Sequence, residues 1–213
     1  MDVNNPEIII AGCGPGSPDY LTEATRKAVE GAEVLVGAGR LLDLFPSHEA
    51  EKIVVAADTE EVLKAMELRR HKKIVVLVTG DPGLCSLARP ALKRFGRKSC
   101  RVIPGISAVQ TAFARVGLDW LDARTIDAHG QNPCMEIAAL KKERKIAVLT
   151  GHGEAILWLA DTVKELGNGW RIFICENLTL ADENIRQVQE MDLAEIQVAA
   201  RSVVLIIKEE ELK

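Results

Sequence analysis

Three glycine- and proline-punctuated segments hold the residues best suited to chemistry: Gly12-Cys13-Gly14-Pro15-Gly16-Ser17-Pro18, Thr79-Gly80-Asp81-Pro82-Gly83 and Pro104-Gly105-Ile106-Ser107-Ala108. Glycines in the first let the backbone turn sharply and approach a ligand closely. A dinucleotide loop would read Gly-x-Gly-x-x-Gly and run straight into a helix. Here Gly12, Gly14 and Gly16 stand two apart, Pro15 and Pro18 interrupt, and Pro18 disfavours an immediate helix. The segment is therefore unlike a pyrophosphate cradle, and by itself reads as a ligand-contacting loop or as a tight turn. Asp81 can accept hydrogen bonds from ribose hydroxyls or pair with an ammonium group. The same Asp-Pro-Gly also suits a helix cap or a type I turn. In the third segment small residues let a bulky ligand lie against the backbone, while Ser107 alone would serve as an ordinary helix cap.

Each segment follows an apolar run that reads as a strand. Ile8 to Ala11, Val34 to Val36, Lys52 to Val55, Lys73 to Val78 and Arg101 to Ile103 are strand candidates, the fourth being the strongest. Helices are expected over Thr22 to Glu30, after Asp58 as N-cap, over Leu84 to Phe95 with a kink at Pro90, and over Ile106 to Val116. This βαβα rhythm implies a mostly parallel sheet flanked by helices, with all three segments at strand C-termini, where they can line one crevice. The second half differs. Strand candidates Ile146 to Leu149 and Ile172 to Cys175 bracket a helix from Glu154 to Leu166. Ile185 to Gln189 and Ser202 to Ile207 follow, joined by a short acidic segment. Antiparallel pairing is expected there. The pattern thus reads as α/β with two domains, 1–117 and 118–213, the second α+β in character with antiparallel pairing.

The 213 residues can bury a real core, and a net charge of -4 lacks the basic footprint of a nucleic-acid binder. No apolar run reaches membrane-spanning length, and the first six residues lack the basic start and apolar stretch of a signal peptide. The five cysteines are odd in number and form no Cys-x-x-Cys pair, so neither a zinc site nor a disulfide framework is favoured. A cytoplasmic protein without a resident metal, not bound to membrane or nucleic acid, is expected.

The three segments in this order, with Leu21-Thr22 after the first, resemble the tetrapyrrole (corrin/porphyrin) methylase family. Asp127-Ala128-His129-Gly130, Leu149-Thr150, Glu176-Asn177-Leu178 and Asp182-Glu183-Asn184-Ile185 resemble its branch that methylates a corrin precursor at C5. The resemblance covers nearly the whole chain. It implies S-adenosyl-L-methionine bound in a cleft between two α/β domains, contacted by Pro15, Thr79, Gly80, Asp81, Leu84, Ser107, Ala108, Thr150 and Leu178, with Asp81 as the polar anchor. It implies attack by an electron-rich ring carbon on the sulfonium methyl, a reaction in which protein mainly positions and desolvates. His129 is the candidate acid/base or carboxylate-binding residue, against a plain loop histidine. His152 is a weaker candidate, and His48 and His71 read as solvated. Glu176 either supports the cofactor or is an exposed strand end. Arg40, Arg89, Arg115 and Arg124 are candidate partners for substrate carboxylates, against ordinary solvated arginines. A homodimer is implied.

Two departures bear on the substrate more than on the cofactor. Thr179-Leu180-Ala181 stands where many relatives have Gly-Tyr, and Gly151-His152-Gly153-Glu154 is unexpected. Fused relatives carry a second domain for C15 methylation, and 213 residues leave no room for it, so only the C5 step is expected, with a separate C15 methyltransferase as a possible partner. Alternatives within the family are another corrin carbon, uroporphyrinogen III, diphthamide or a ribosomal RNA ribose as acceptor. Outside it, a docking subunit for the C15 enzyme remains open. A nicotinamide oxidoreductase calls for an acidic residue after the second strand, where Gly37-Ala38-Gly39 stands.

Overall fold

The computed structural model describes residues 8–55, 58–130, 132–151 and 153–213, so His152 lies outside the described residues. The chain divides into two compact units at Ser107/Ala108. That is ten residues before the boundary expected at 117, because the helix over residues 108–116 belongs to the second unit.

In the first unit, strands β1 (Ile8–Gly12), β2 (Val34–Gly37), β3 (Glu51–Val54), β4 (Ile74–Val78) and β5 (Cys100–Ile103) alternate with helices α1 (Glu23–Glu30), α2 (Gly39–Leu42), α3 (Thr59–Glu67) and α4 (Ala88–Phe95). The strands form one sheet in the order β3-β2-β4-β1-β5, and every pairing is parallel. β1 and β4 are buried throughout, as central strands covered on both faces must be. The edges β3 and β5 carry exposed Lys52 and Arg101. Alternate side chains feed two cores. Ile8, Ile10, Val34 and Val76 pack with Met66, Ala91 and Phe95, whereas Ile9, Ala11, Leu35 and Leu77 pack with Val29 and Leu41.

Helix α4 starts at Ala88, four residues later than expected, because residues 81–87 turn first and Cys85 takes a left-handed φ of 47°. The kink expected at Pro90 does not arise. Pro90 is the third residue of α4, where a backbone N–H has no intrahelical acceptor to lose.

The second unit holds α5 (Ala108–Val116), β6 (Arg124–Ala128), α6 (Ile137–Leu140), β7 (Lys145–Thr150), α7 (Gly153–Leu166), β8 (Trp170–Glu176), β9 (Asn184–Val188) and β10 (Ser202–Lys208). Its sheet runs β6-β7-β10-β8-β9, with β6 parallel to β7 and the other pairs antiparallel. The last strand therefore inserts between β7 and β8, separated in the sheet from β9. Its run Ser202 to Ile207 is wholly buried, as a central position requires. The residue pattern does not mark β6 as a strand, since only Ile126 and Ala128 of its five residues are buried.

Candidate functional site

Register brings the three segments of the first unit together. Gly12 pairs with Val78 and Ala11 with Ile103, so the loops leaving β1, β4 and β5 emerge side by side at the carboxyl edge of the sheet. That edge is where open parallel sheets bind ligands. The loops also bond to one another. Cys13 N–H donates to Val78 O at 2.9 Å, and Gly14 and Gly80 form an isolated antiparallel bridge, the Gly80 N–H to Gly14 O leg being 2.8 Å. Asp81 ties in the third loop. Its Oδ2 accepts from Gly105 N at 3.0 Å, and its Oδ1 accepts from Gly83 N at 2.8 Å. Each oxygen keeps a further lone pair, so Asp81 both braces the loops and can still take a ligand hydroxyl.

The glycines have a different purpose from the one their spacing suggests. A Cβ on Gly12 would lie 2.6 Å from both Gly105 N and Gly80 O, and one on Gly105 would collide with the same carbonyl. Three backbones are packed against each other here, and only glycine permits it. The junction is fastened below by Thr25. Its buried hydroxyl donates to Gly12 O at 3.0 Å, and Thr22 caps α1 through Thr25 N at 3.1 Å. In the sequence, nothing marks Thr25 beyond its place in the first turn of α1.

Of the expected contacts in this unit, Pro15, Gly80 and Ser107 are buried, while Thr79, Asp81 and Leu84 are half-buried. The Thr79 hydroxyl accepts from the exposed Arg40 guanidinium, which places one candidate arginine at the loop junction. Arg89 and Arg124 are exposed. Cys13 turns its side chain into the apolar core, and burial pushes its thiol up to about 12 against the opposing pull of Arg40. A protonated, covered sulfur in the middle of this loop is no nucleophile.

In the second unit, the remaining candidates share one end of the mixed sheet. Ala128 pairs with Thr150, Thr150 with Ser202, and Ser202 with Glu176. Ala108, expected as a contact, opens α5 and is half-buried. Thr150 is fully buried, and its hydroxyl donates to Ser202 O at 3.2 Å. The exposed His129 follows β6 and lies against Gly151, where an added Cβ would meet its ring at 2.9 Å. Its backbone N–H donates to Asp127 Oδ1 at 3.0 Å, and its Nδ1 lies 3.2 Å from the same oxygen. Asp127, part of the Asp127-Ala128-His129-Gly130 segment but given no role from sequence, thus orients the ring.

Glu176 corrects the expectation of an exposed strand end. It is 7% exposed, accepts from Ala199 N at 2.9 Å and Asn184 Nδ2 at 3.0 Å, and forms an ion pair with Arg186 Nη2 at 3.3 Å. It therefore pins the β8–β9 connection and the chain before β10. Next to it, Leu178 is buried between Asn177 (φ 47°) and Thr179 (φ 69°). Left-handed backbone costs a β-branched residue about 1–2 kcal/mol, which explains why glycine suits the position this chain gives to Thr179. Arg115, a candidate for substrate carboxylates, is paired with Glu183 at 2.8 Å. His71 is exposed, and His48 is half-buried with its Nδ1 accepting from Ala50 N at 3.1 Å. Among the described residues no three His, Cys, Asp or Glu side chains gather as a metal site, and no helix is long and apolar enough to cross a membrane.

The family described as Tetrapyrrole (Corrin/Porphyrin) Methylases matches residues 7–194. A cobalt-precorrin-7 C(5)-methyltransferase of Salmonella typhimurium is 33% identical over 179 residues, 84% of this chain and 88% of that one. A probable cobalt-precorrin-7 C(5)-methyltransferase of Methanocaldococcus jannaschii is 34% identical over 191 residues, 84% of this chain and 87% of that one. The crystal structure of a precorrin-6Y methylase from Archaeoglobus fulgidus superposes with a TM-score of 0.72 at 25% identity, covering 95% of this chain and 97% of that one.

Proposed function

We propose, from the premise that this chain belongs to the tetrapyrrole (corrin/porphyrin) methylase family, that it is an S-adenosylmethionine-dependent methyltransferase acting at C5 of a corrin precursor of the cobalt-precorrin-7 or precorrin-6Y type in cobalamin biosynthesis. The observation that carries this reading is the junction of the loops after β1, β4 and β5, in a chain whose likeness to C5-methyltransferases spans 84% of its length.

The donor set suits the cofactor. The junction offers one half-buried carboxylate, the Thr79 hydroxyl and closely packed main chain, and its thiol is sealed away. In the first unit Pro15, Thr79, Gly80, Asp81, Leu84 and Ser107 hold the cofactor, Asp81 through its spare lone pairs. In the second unit Ala108, Thr150 and Leu178 do so. When bound, S-adenosylmethionine supplies an activated methyl group for an electron-rich ring carbon. The chain's own contribution is orientation and exclusion of water, and orientation alone is worth up to about 7–11 kcal/mol. His129 acts on protons. With an Nδ1 proton donated to Asp127, Nε2 is the acceptor that takes a proton from the methylated ring. Arg40 receives a substrate carboxylate, with Arg89 and Arg124 as further contributors, whereas Arg115 is committed to Glu183.

The protein acts as a homodimer in the cytoplasm, with a separate C15 methyltransferase as its partner in the pathway. Light scattering gives the oligomeric state, cell fractionation the compartment, and co-purification the partner. Calorimetry with S-adenosylmethionine, S-adenosylhomocysteine and NAD tests the cofactor, and binding of NAD alone would sink the proposal. Turnover against a panel of tetrapyrrole and non-tetrapyrrole acceptors tests the substrate. Methylation of only a non-tetrapyrrole would reassign the chain to a sibling activity, and no turnover without the C15 enzyme would make it a docking subunit.

A further inference from the structure

The turn at Asn177–Thr179 is held by more than its own sequence. Asn177 and Thr179 both have left-handed backbone, which asparagine tolerates and β-branched threonine does not. Such a turn persists only where the surroundings over-determine it. Glu183 does this: its Oε2 accepts from Thr179 N–H, and its Oε1 accepts from Arg115 Nε at 2.8 Å. Arg115 projects from the last turn of α5, so the carboxylate is aimed from a regular helix. The turn closes back on the clamp, since Glu183 N–H donates to Leu180 O at 3.0 Å. At its other end Asn177 N–H donates to Arg201 O at 3.0 Å, and the Asn177 amide donates to Asp182 at 2.7 Å. Between these two fixings Leu178 is buried, so the turn holds it in one place.

We propose that Glu183, aimed by Arg115, is a positioning residue for methyl transfer: it keeps Thr179 left-handed and so fixes the turn that carries Leu178 to the cofactor. This rests on the functional reading above, in which Leu178 is a cofactor contact. The Arg115 guanidinium holds the Glu183 carboxyl below the usual carboxylate range, so the clamp is charged at neutral pH.

The test is calorimetric titration of the full chain with S-adenosylhomocysteine, for wild type, Glu183→Ala, Glu183→Gln and the double variant Glu183→Ala/Thr179→Gly. Glu183→Ala should weaken binding about tenfold, which corresponds to about 1.4 kcal/mol. Glu183→Gln should fall between wild type and Glu183→Ala, because its one amide oxygen can still accept from Thr179 N–H while its NH2 then meets the Arg115 guanidinium donor to donor. The double variant should recover to within about threefold, since glycine takes the left-handed conformation at no steric cost. General loosening of the fold would not be cured by a more flexible residue. Should Glu183→Ala not fold, Arg115→Gln with and without Thr179→Gly carries the same expectation. Failure of wild type to bind overturns the functional reading itself. Binding by wild type, with Glu183→Ala binding equally well or the double variant not recovering, overturns the positioning role.

Discussion

Gly12→Ala is the most demanding test of the loop junction. The added Cβ would stand 2.6 Å from Gly105 N, 2.6 Å from Gly80 O and 2.7 Å from Gly105 Cα. Ordinary carbon contacts begin at about 3.5 Å, so both neighbours must retreat by most of an ångström. Neither is a side-chain end that can swing aside. Gly105 N is bound to Asp81 and Gly80 N to Gly14 O. Overpacking a tight site costs about 1–3 kcal/mol, and weakening a hydrogen bond to a charged group adds about 1.5–3 kcal/mol. The lower unfolded-state entropy of alanine returns about 0.4–1 kcal/mol. A net loss of about 3 kcal/mol follows, or roughly 6–12 °C in Tm for a chain of this size. Gly39→Ala is the control: a Cβ there would meet nothing within 4 Å, and Gly39 opens α2. It should be neutral or slightly stabilising. Thermal and urea unfolding of both variants, with S-adenosylhomocysteine titration well below the midpoint, gives the answer. A Gly12→Ala protein that melts within about 2 °C of wild type and binds normally would refute the view that these glycines serve loop-on-loop packing.

Asp81→Ala should lose cofactor affinity by about tenfold or more and also lose about 1–3 kcal/mol of stability, because Gly105 N–H is left without its acceptor; calorimetry and urea melts read the two effects separately. Thr179→Gly in an otherwise wild-type chain should change stability by no more than about 1 kcal/mol, relief at φ 69° offsetting the extra chain entropy, and a large loss in a urea melt would contradict a left-handed Thr179. Alkylation at neutral pH, followed by mass spectrometry, should modify exposed Cys85 and Cys134 and spare Cys13 and Cys175, whose buried thiols are pushed up to about 12. Hydrogen bonds from Arg69 and Lys72 lower the Glu51 carboxyl to about 2, so its contribution is present above its ordinary value near 4.5 and is lost as pH falls toward 2. Acid titration of Glu51→Gln should therefore show a shallower fall in stability in that window, and an unchanged slope would show that the ion pairs do not hold in solution.

The sequence by itself determined most of the strands, the longer helices and the place of the three loops of the first unit. Unbroken apolar runs at Ile8 to Ala11 and Ile74 to Val78 can be satisfied only by burial on both faces, and strand-loop-helix order then places Gly12, Gly80 and Gly105 at strand C-termini. Thr22 and Asp58 marked helix starts through local backbone chemistry that does not depend on distant contacts. Where the pattern was mixed, as in β6 with exposed Arg124, Thr125 and Asp127, no local signal separated strand from loop. Partnership belonged to the tertiary structure. The insertion of β10 between β7 and β8, the bracing of three loops by Asp81, the Thr25 bond to Gly12 and the Arg115–Glu183 clamp each join residues far apart in the chain. Hydrogen-bonding capacity is written in a residue's type, but its partner is chosen by the register of the sheet. For that reason the same Asp81, Glu176 and Arg115 that read as ligand-binding or solvent-facing in sequence became, once folded, the ties that hold the candidate site in shape.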